Sequence, residues 1–221
     1  MNTFATPAPI TATLDVPAGR VQVIAADRAD TSVQVRAADP GRGRDAKAAE
    51  QVSVEFADGV LRVQAPAGNQ YLGSTGAVEV TIQLPAGSRV QAKAAATEFR
   101  GVGRLGEVAF DGAYRQIKID EAASVHLTAT DGDVEVGRLN GPAHITTQRG
   151  DIRITEAAGA GQVELRTQSG DVSVGAAPGV SGALSAHSGH GRITNSLKND
   201  GTTALDIRAT TSHGDITARS L

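Results

Sequence analysis

Three histidines, His187, His190 and His213, are the side chains best suited to chemistry. His190 and His213 each stand just before a glycine of a recurring pattern. Stacked repeats set their imidazoles side by side, with His187 near the same edge. Imidazoles in that arrangement suit Zn²⁺ or another divalent ion. The spacing fixes no third or fourth ligand, so exposed turn histidines are the plainer reading. A second group is carboxylates: Asp133, Asp151 and Asp171 each follow a glycine. A file of carboxylates suits Ca²⁺. The Gly-Gly-x-Gly-x-Asp nonapeptide of calcium β-rolls is absent, and an Asp after Gly also bonds corner backbone N–H groups.

Other motifs yield to context. Gly101 to Gly106 spells a dinucleotide fingerprint, with Asp120 and Glu121 near the expected distance. That chemistry needs a helix after the glycines, and Glu107 to Phe110 instead begins an alternating strand pattern. Arg149-Gly150-Asp151 spells a cell-attachment tripeptide but stands in register with the other Gly-Asp corners. Outward slots hold Glu135, Arg153, Glu164, Arg166, Asp206 and Arg208, mixed in sign like a solvated face. A sugar-cleaving site needs two carboxylates across a groove, usually with aromatic platforms, and aromatics are 3% of the chain. No nucleophile elbow or phosphate loop is present. No enzyme activity and no cofactor are expected.

What positions these residues is a repeat. Gly132-Asp133, Gly150-Asp151, Gly170-Asp171 and Gly214-Asp215 recur, with Gly191-Arg192 as a variant. Seven places before each glycine stand Val125, Ala143, Val163, Leu184 and Ile207. Five before stand Leu127, Ile145, Leu165, Ala186 and Ala209. Two after stand Val134, Ile152, Val172, Ile193 and Ile216. Period-two alternation on both sides of a tight corner predicts strand, corner, strand, looser corner. Extra residues collect in the looser corner, as a solenoid requires. Glycine permits positive φ at the tight corner. An antiparallel meander of Asp-Gly hairpins is the rival geometry. Stacked coils are preferred because the columns match rung by rung.

Upstream, Ile117-Lys118-Ile119 matches Val134-Glu135-Val136, and Val90 to Phe110 supplies one or two more rungs. Leu14 to Gly19 followed by Val21-Gln22-Val23 is echoed by Ile82 to Gly87 followed by Val90-Gln91-Ala92. Both read as strand, Pro-Ala-Gly turn, strand. Residues 33–36, 52–56, 60–63 and 78–84 alternate as strands. Pro40 to Glu50 reads as a polar loop with room for one helical turn, the best candidate for a mobile segment.

The 221 residues include no cysteine, which excludes disulfides and thiolate metal sites. Net charge is −3 without a basic tract, so no nucleic-acid partner is expected. Met1 to Gly19 lacks a charged segment followed by an apolar stretch, and no apolar run approaches about 18 residues. The expectation is a cytoplasmic chain without a membrane span.

The duplicated Pro-Ala-Gly turn followed by Gly-Asp-Val and Gly-Asp-Ile rungs resembles the bacterial DUF4097 group of adhesin-like proteins, most specifically over 82–90 and 125–216. The resemblance implies a β-solenoid related to toast-rack modules of envelope-stress proteins, and a scaffolding or binding role without established catalysis. The expected fold is an all-β solenoid of stacked two-strand coils, right-handed. A strand-rich segment, 1–89, runs on into the repeats of 90–221 as one continuous domain. The expected partner is a protein or a second copy, docked on the C-terminal edge, residues 205–221. A metal-binding or carbohydrate-acting β-helix is the alternative.

Overall fold

A computed structural model describes residues 1–65, 76–113 and 115–221. Alternating sequence becomes strand almost throughout. The chain begins with β1 (Asn2–Ala5), β2 (Thr11–Asp15), β3 (Ala18–Ala26) and β4 (Asp30–Ala37). After α1 (Gly43–Glu50) come β5 (Ser53–Ala57), β6 (Val60–Gln64), β7 (Val78–Pro85) and β8 (Arg89–Lys93). Two long strands, β9 (Ala96–Ala113) and β10 (Ile117–Asp131), lead into the repeats. These are β11 (Val134–Leu139), β12 (Ala143–Arg149), β13 (Ile152–Ala157), β14 (Gly161–Ser169) and β15 (Val172–Ala176). The chain closes with β16 (Gly182–His190), β17 (Ile193–Ser196), β18 (Leu205–His213) and β19 (Ile216–Ser220).

The coils stack as two parallel ladders. One runs β7, β3, β9, β10, β11, β13, β15, β19, β17. The other runs β6, β2, β8, β9, β10, β12, β14, β18, β16. The long strands β9 and β10 contribute to both. Neighbouring repeat segments run in the same direction, so the hairpin meander is ruled out. Inward residues stack in register, for example Val125, Ala143, Val163, Ile207 and Leu184. One hydrophobic cluster extends along the stack from Ile10 to Ala218. With few aromatics, its filling is β-branched; Phe99 and Phe110 meet edge to face within it, centroids 5.3 Å apart.

The two ends differ. At the N-terminal end, β4 and β5 pair antiparallel with β7 and β6, and β1 adds to β4. Phe4 of β1 and Phe56 of β5 meet there at 5.3 Å, and α1 packs on β4 and β7. The segment Pro40 to Glu50, expected as a polar loop, therefore carries an eight-residue helix. Its Asp45 is buried and accepts the Ala77 N–H at 3.0 Å, which ties the helix to the start of β7.

At the other end the order of rungs departs from the order of the chain. Strand β18 pairs with both β14 and β16, and β19 with both β15 and β17. The last coil in sequence is thus sandwiched, and β16–β17 is the outermost rung. The expected docking edge at 205–221 is corrected accordingly: those strands have neighbours on both sides, and among the described residues the free edge is 182–196. The N-terminus mirrors this, with β2–β3 lying between β6–β7 and β8–β9. The two Pro-Ala-Gly echoes occupy opposite sides of the coil. The first carries the chain from β2 to β3 and the second from β7 to β8, in the reverse sense between ladders.

A candidate docking edge and its polar files

The Gly-Asp corner is built from backbone contact. A Cβ added at Gly170 would lie 2.1 Å from the Gly150 carbonyl oxygen, and one at Gly214 2.0 Å from that of Gly170. Both glycines have positive φ, +150° and +149°. Rungs approach here too closely for any side chain but hydrogen.

The aspartates form a ladder of their own. Asp133 Oδ1 accepts the Asp151 N–H at 2.9 Å, and Asp151 Oδ1 accepts the Asp171 N–H at 2.7 Å. Asp171 Oδ1 accepts the Asp215 N–H at 2.7 Å, and Asp215 Oδ1 accepts the Arg192 N–H at 2.8 Å. Each carboxylate satisfies the backbone of the next rung outward. A parallel ladder of hydroxyls reaches back: Thr167 donates to the Gly150 carbonyl, Thr211 to that of Gly170 and Ser188 to that of Gly214. On the outermost rung no further N–H needs an acceptor, and Arg192 stands where the other rungs have aspartate.

The rung β16–β17 shows every mark of an unfinished stack. All four residues of β17 are exposed, and Ile193, in the core column of Ile216 and Ile152, is 45% exposed. Asn195 fills the column that Ala218 and Val174 fill below it. Leu184, Ala186 and Leu197 are only partly buried. One flank of β16 and of β17 is unpaired among the described residues.

The predicted histidines separate into a pair and an outlier. His190 and His213 are stacked, ring centroids 4.9 Å apart and planes 3° from parallel. His187 pairs in register with Thr210, on the outer surface of β16. No set of three His, Asp or Glu groups converges to hold a metal ion among the described residues. The tripeptide Arg149-Gly150-Asp151 is absorbed by the corner: Arg149 Nη2 lies 2.7 Å from Asp131 Oδ2, and Asp151 bonds the next rung. The glycines 101–106 lie within β9, and the Gly103 N–H donates to Asp120 Oδ2 at 3.3 Å.

A second histidine pair was not singled out from the sequence. His126 and His144 stack at 5.1 Å on the outer surface of the second ladder, and His144 Nδ1 lies 3.2 Å from Glu164 Oε2. Glu107 and Gln162 help line a shallow groove of about 330 Å³ there. The signal was available: His126, His144 and Glu164 all stand six places before a corner glycine. Two carboxyls elsewhere are perturbed. Asp30 is held below the usual carboxylate range by hydrogen bonds from the Arg28 guanidinium, and Asp200 by the Thr202 N–H and then Ser181.

The sequence profile of the Toastrack DUF4097 family matches residues 11–219. No curated protein matches the chain. Among solved structures, a "putative adhesin" from Bacteroides fragilis is similar at 10% identity and TM-score 0.45, covering 98% of this chain and 95% of that one. One from Parabacteroides distasonis is similar at 15% identity and TM-score 0.43, with the same coverage of each chain. A "putative cell adhesion protein" from Clostridium sporogenes is similar at 11% identity and TM-score 0.37, covering 100% of this chain and 98% of that one.

Proposed function

The chain belongs to the Toastrack DUF4097 family, and from that premise we propose that it is a non-catalytic scaffold that engages a protein through its bare end. One observation carries this reading. Among the described residues the stack is closed at one end by antiparallel strands, a helix and the Phe4–Phe56 pair, and left open at the other with Ile193 exposed. Terminal repeats of soluble solenoids normally carry a polar cap, and an uncapped parallel edge is a template for another strand. At neither histidine pair do three ligating groups converge on one point among the described residues, although Glu164 stands beside His144, and this gives the metal-binding alternative less support. A role in envelope stress rests on the identity of the partner and belongs to the same proposal.

The test is photo-cross-linking in the native host from a reactive residue placed at position 194, with one at position 20 as control. A discrete adduct from position 194 that disappears in Ser196→Pro supports docking at the bare end. Equal labelling from both positions, or adducts indifferent to the proline, refutes it.

A further inference from the structure

The polarity of the aspartate ladder says what kind of segment the bare end accepts. Every inner rung presents a carboxylate outward to the next N–H, from Asp133 through Asp215. The outermost rung presents a guanidinium, Arg192, at that same column. We infer that the open rung β16–β17 binds an extended acidic segment of another protein, added as a further strand beside β17 with a carboxylate at the Arg192 corner. This rests on the bare end being the docking site.

Charge at this end supports the assignment. The outermost rung and its return loop, residues 182–204, hold Arg192, Lys198 and Asp200 as their only full charges. The Asp200 carboxylate is already engaged by the Thr202 N–H at 2.9 Å. Arg219 lies directly beneath Ser196 in the neighbouring strand and is exposed. None of Arg192, Lys198 and Arg219 forms an ion pair among the described residues; along the stack Arg20, Arg100, Arg138 and Arg149 do, while Arg62, Arg89 and Arg153 do not. Counting Arg192, Lys198 and Arg219 against Asp200 and Asp215, a chain of net charge −3 carries a local excess of one positive charge at its open end, where both carboxylates are engaged by backbone N–H groups. Lysine and arginine at a sheet edge also oppose pairing with a like edge, which disfavours two bare ends meeting. They leave an oppositely charged strand free to add, with backbone hydrogen bonds for affinity and alternate side chains for selection. Alternate apolar residues of that strand would cover Ile193, and the intervening acids would face Arg192 and Arg219.

The test uses the full chain and three fluorescent nine-residue peptides that alternate valine with glutamate, glutamine or lysine, read by anisotropy. The glutamate peptide is expected to bind at least tenfold more tightly than the glutamine peptide, with the lysine peptide weakest. Its affinity should fall about tenfold in Arg192→Asp and in Lys198→Glu, and fall with added salt, while Arg20→Gln at the far end leaves it unchanged. Equal affinity for all three peptides, no binding, or indifference to Arg192→Asp overturns the charge assignment. The cross-link at position 194 reports separately on the docking site itself. Light scattering that shows a dimer, with residues 182–196 protected from hydrogen exchange in the protein alone, overturns the inference in favour of a second copy.

Discussion

Replacing Asp171 by alanine removes the acceptor of the Asp215 N–H, bonded at 2.7 Å. A hydrogen bond to a charged group is worth about 1.5–3 kcal/mol, with exposed sites near the lower bound. The loss is partly offset, because Asp171 sits between Asp151 and Asp215 in a file of like charges. At a rung spacing of about 4.8 Å, each such pair repels by roughly 0.9 kcal/mol in water, and screening near 0.15 M salt reduces this to about 0.5. Two neighbours return about 1 kcal/mol, leaving a net cost for Asp171→Ala of about 0.5–2 kcal/mol. In 1 M salt the repulsion is nearly gone, and the cost rises by roughly half a kcal/mol. Asp171→Asn keeps a neutral acceptor and sheds the repulsion, so it should fall close to wild type. Arg192→Asp gives the opposite diagnosis. On an outermost rung the new carboxylate finds no N–H and meets Asp215, so stability is unchanged or falls by up to about 1 kcal/mol. If β18–β19 were outermost, the same change would complete the ladder and stabilise by about that amount. Urea unfolding, with the midpoint and slope compared at both salt concentrations, reads all three variants. Asp171→Ala indistinguishable from wild type in both salts, or a stabilised Arg192→Asp, refutes the reasoning.

The same rung order predicts unequal costs for two similar residues. Ile207→Ala, at a position with no exposure, should cost about 2–5 kcal/mol, and Ile193→Ala, 45% exposed, under about 1 kcal/mol in the same urea assay. Gly214→Ala forces a Cβ to within 2.0 Å of a carbonyl oxygen and should abolish cooperative unfolding near 25 °C. Gly179→Ala, where the added atom meets nothing within 4 Å, should cost only about 1 kcal/mol from its positive φ. Carbon-detected NMR titration should place the Asp30 and Asp200 midpoints below the ordinary carboxylate value of 3.8. Because their folded values are depressed, their contribution is present above the unfolded midpoint and lost as pH falls through the folded one. Arg28→Gln should return Asp30 to its ordinary value and leave Asp200 alone.

Much of this architecture was legible because the physics of stacking writes itself into columns. Val125, Ala143 and Val163 agree in type because they touch, and the glycines agree because nothing else fits against the neighbouring carbonyl. Rung order was harder to read. Each coil satisfies the same pattern, so β16 and β18 are interchangeable by periodicity alone. The distinguishing marks were polar departures in β16–β17: Arg192 for aspartate, Ser188 for threonine and Asn195 for an apolar residue. Each is tolerated where one flank faces water. The helix over 43–50 escaped notice because its surface composition is that of a loop, and only Asp45 and Ala48 are buried. The pair His126 and His144 lay outside the corner slot on which attention falls first.

The coils β2–β3 and β18–β19 each lie one rung inside a tip of the stack, which has a consequence for assembly during synthesis. When β16–β17 leaves the ribosome, the coil that belongs beneath it is still unmade. The flank of β14–β15 is then open, and β16–β17 carries the same repeat pattern as β18–β19, so the expected early product is a provisional stack with the wrong neighbour. From such a stack the native order, with Ile207 between Val163 and Leu184, would be reached only when the late coil displaced β16–β17. A chain halted at residue 204 should settle into that shorter stack, compact and cooperative, with a slow exchange step appearing only when the final coil is supplied.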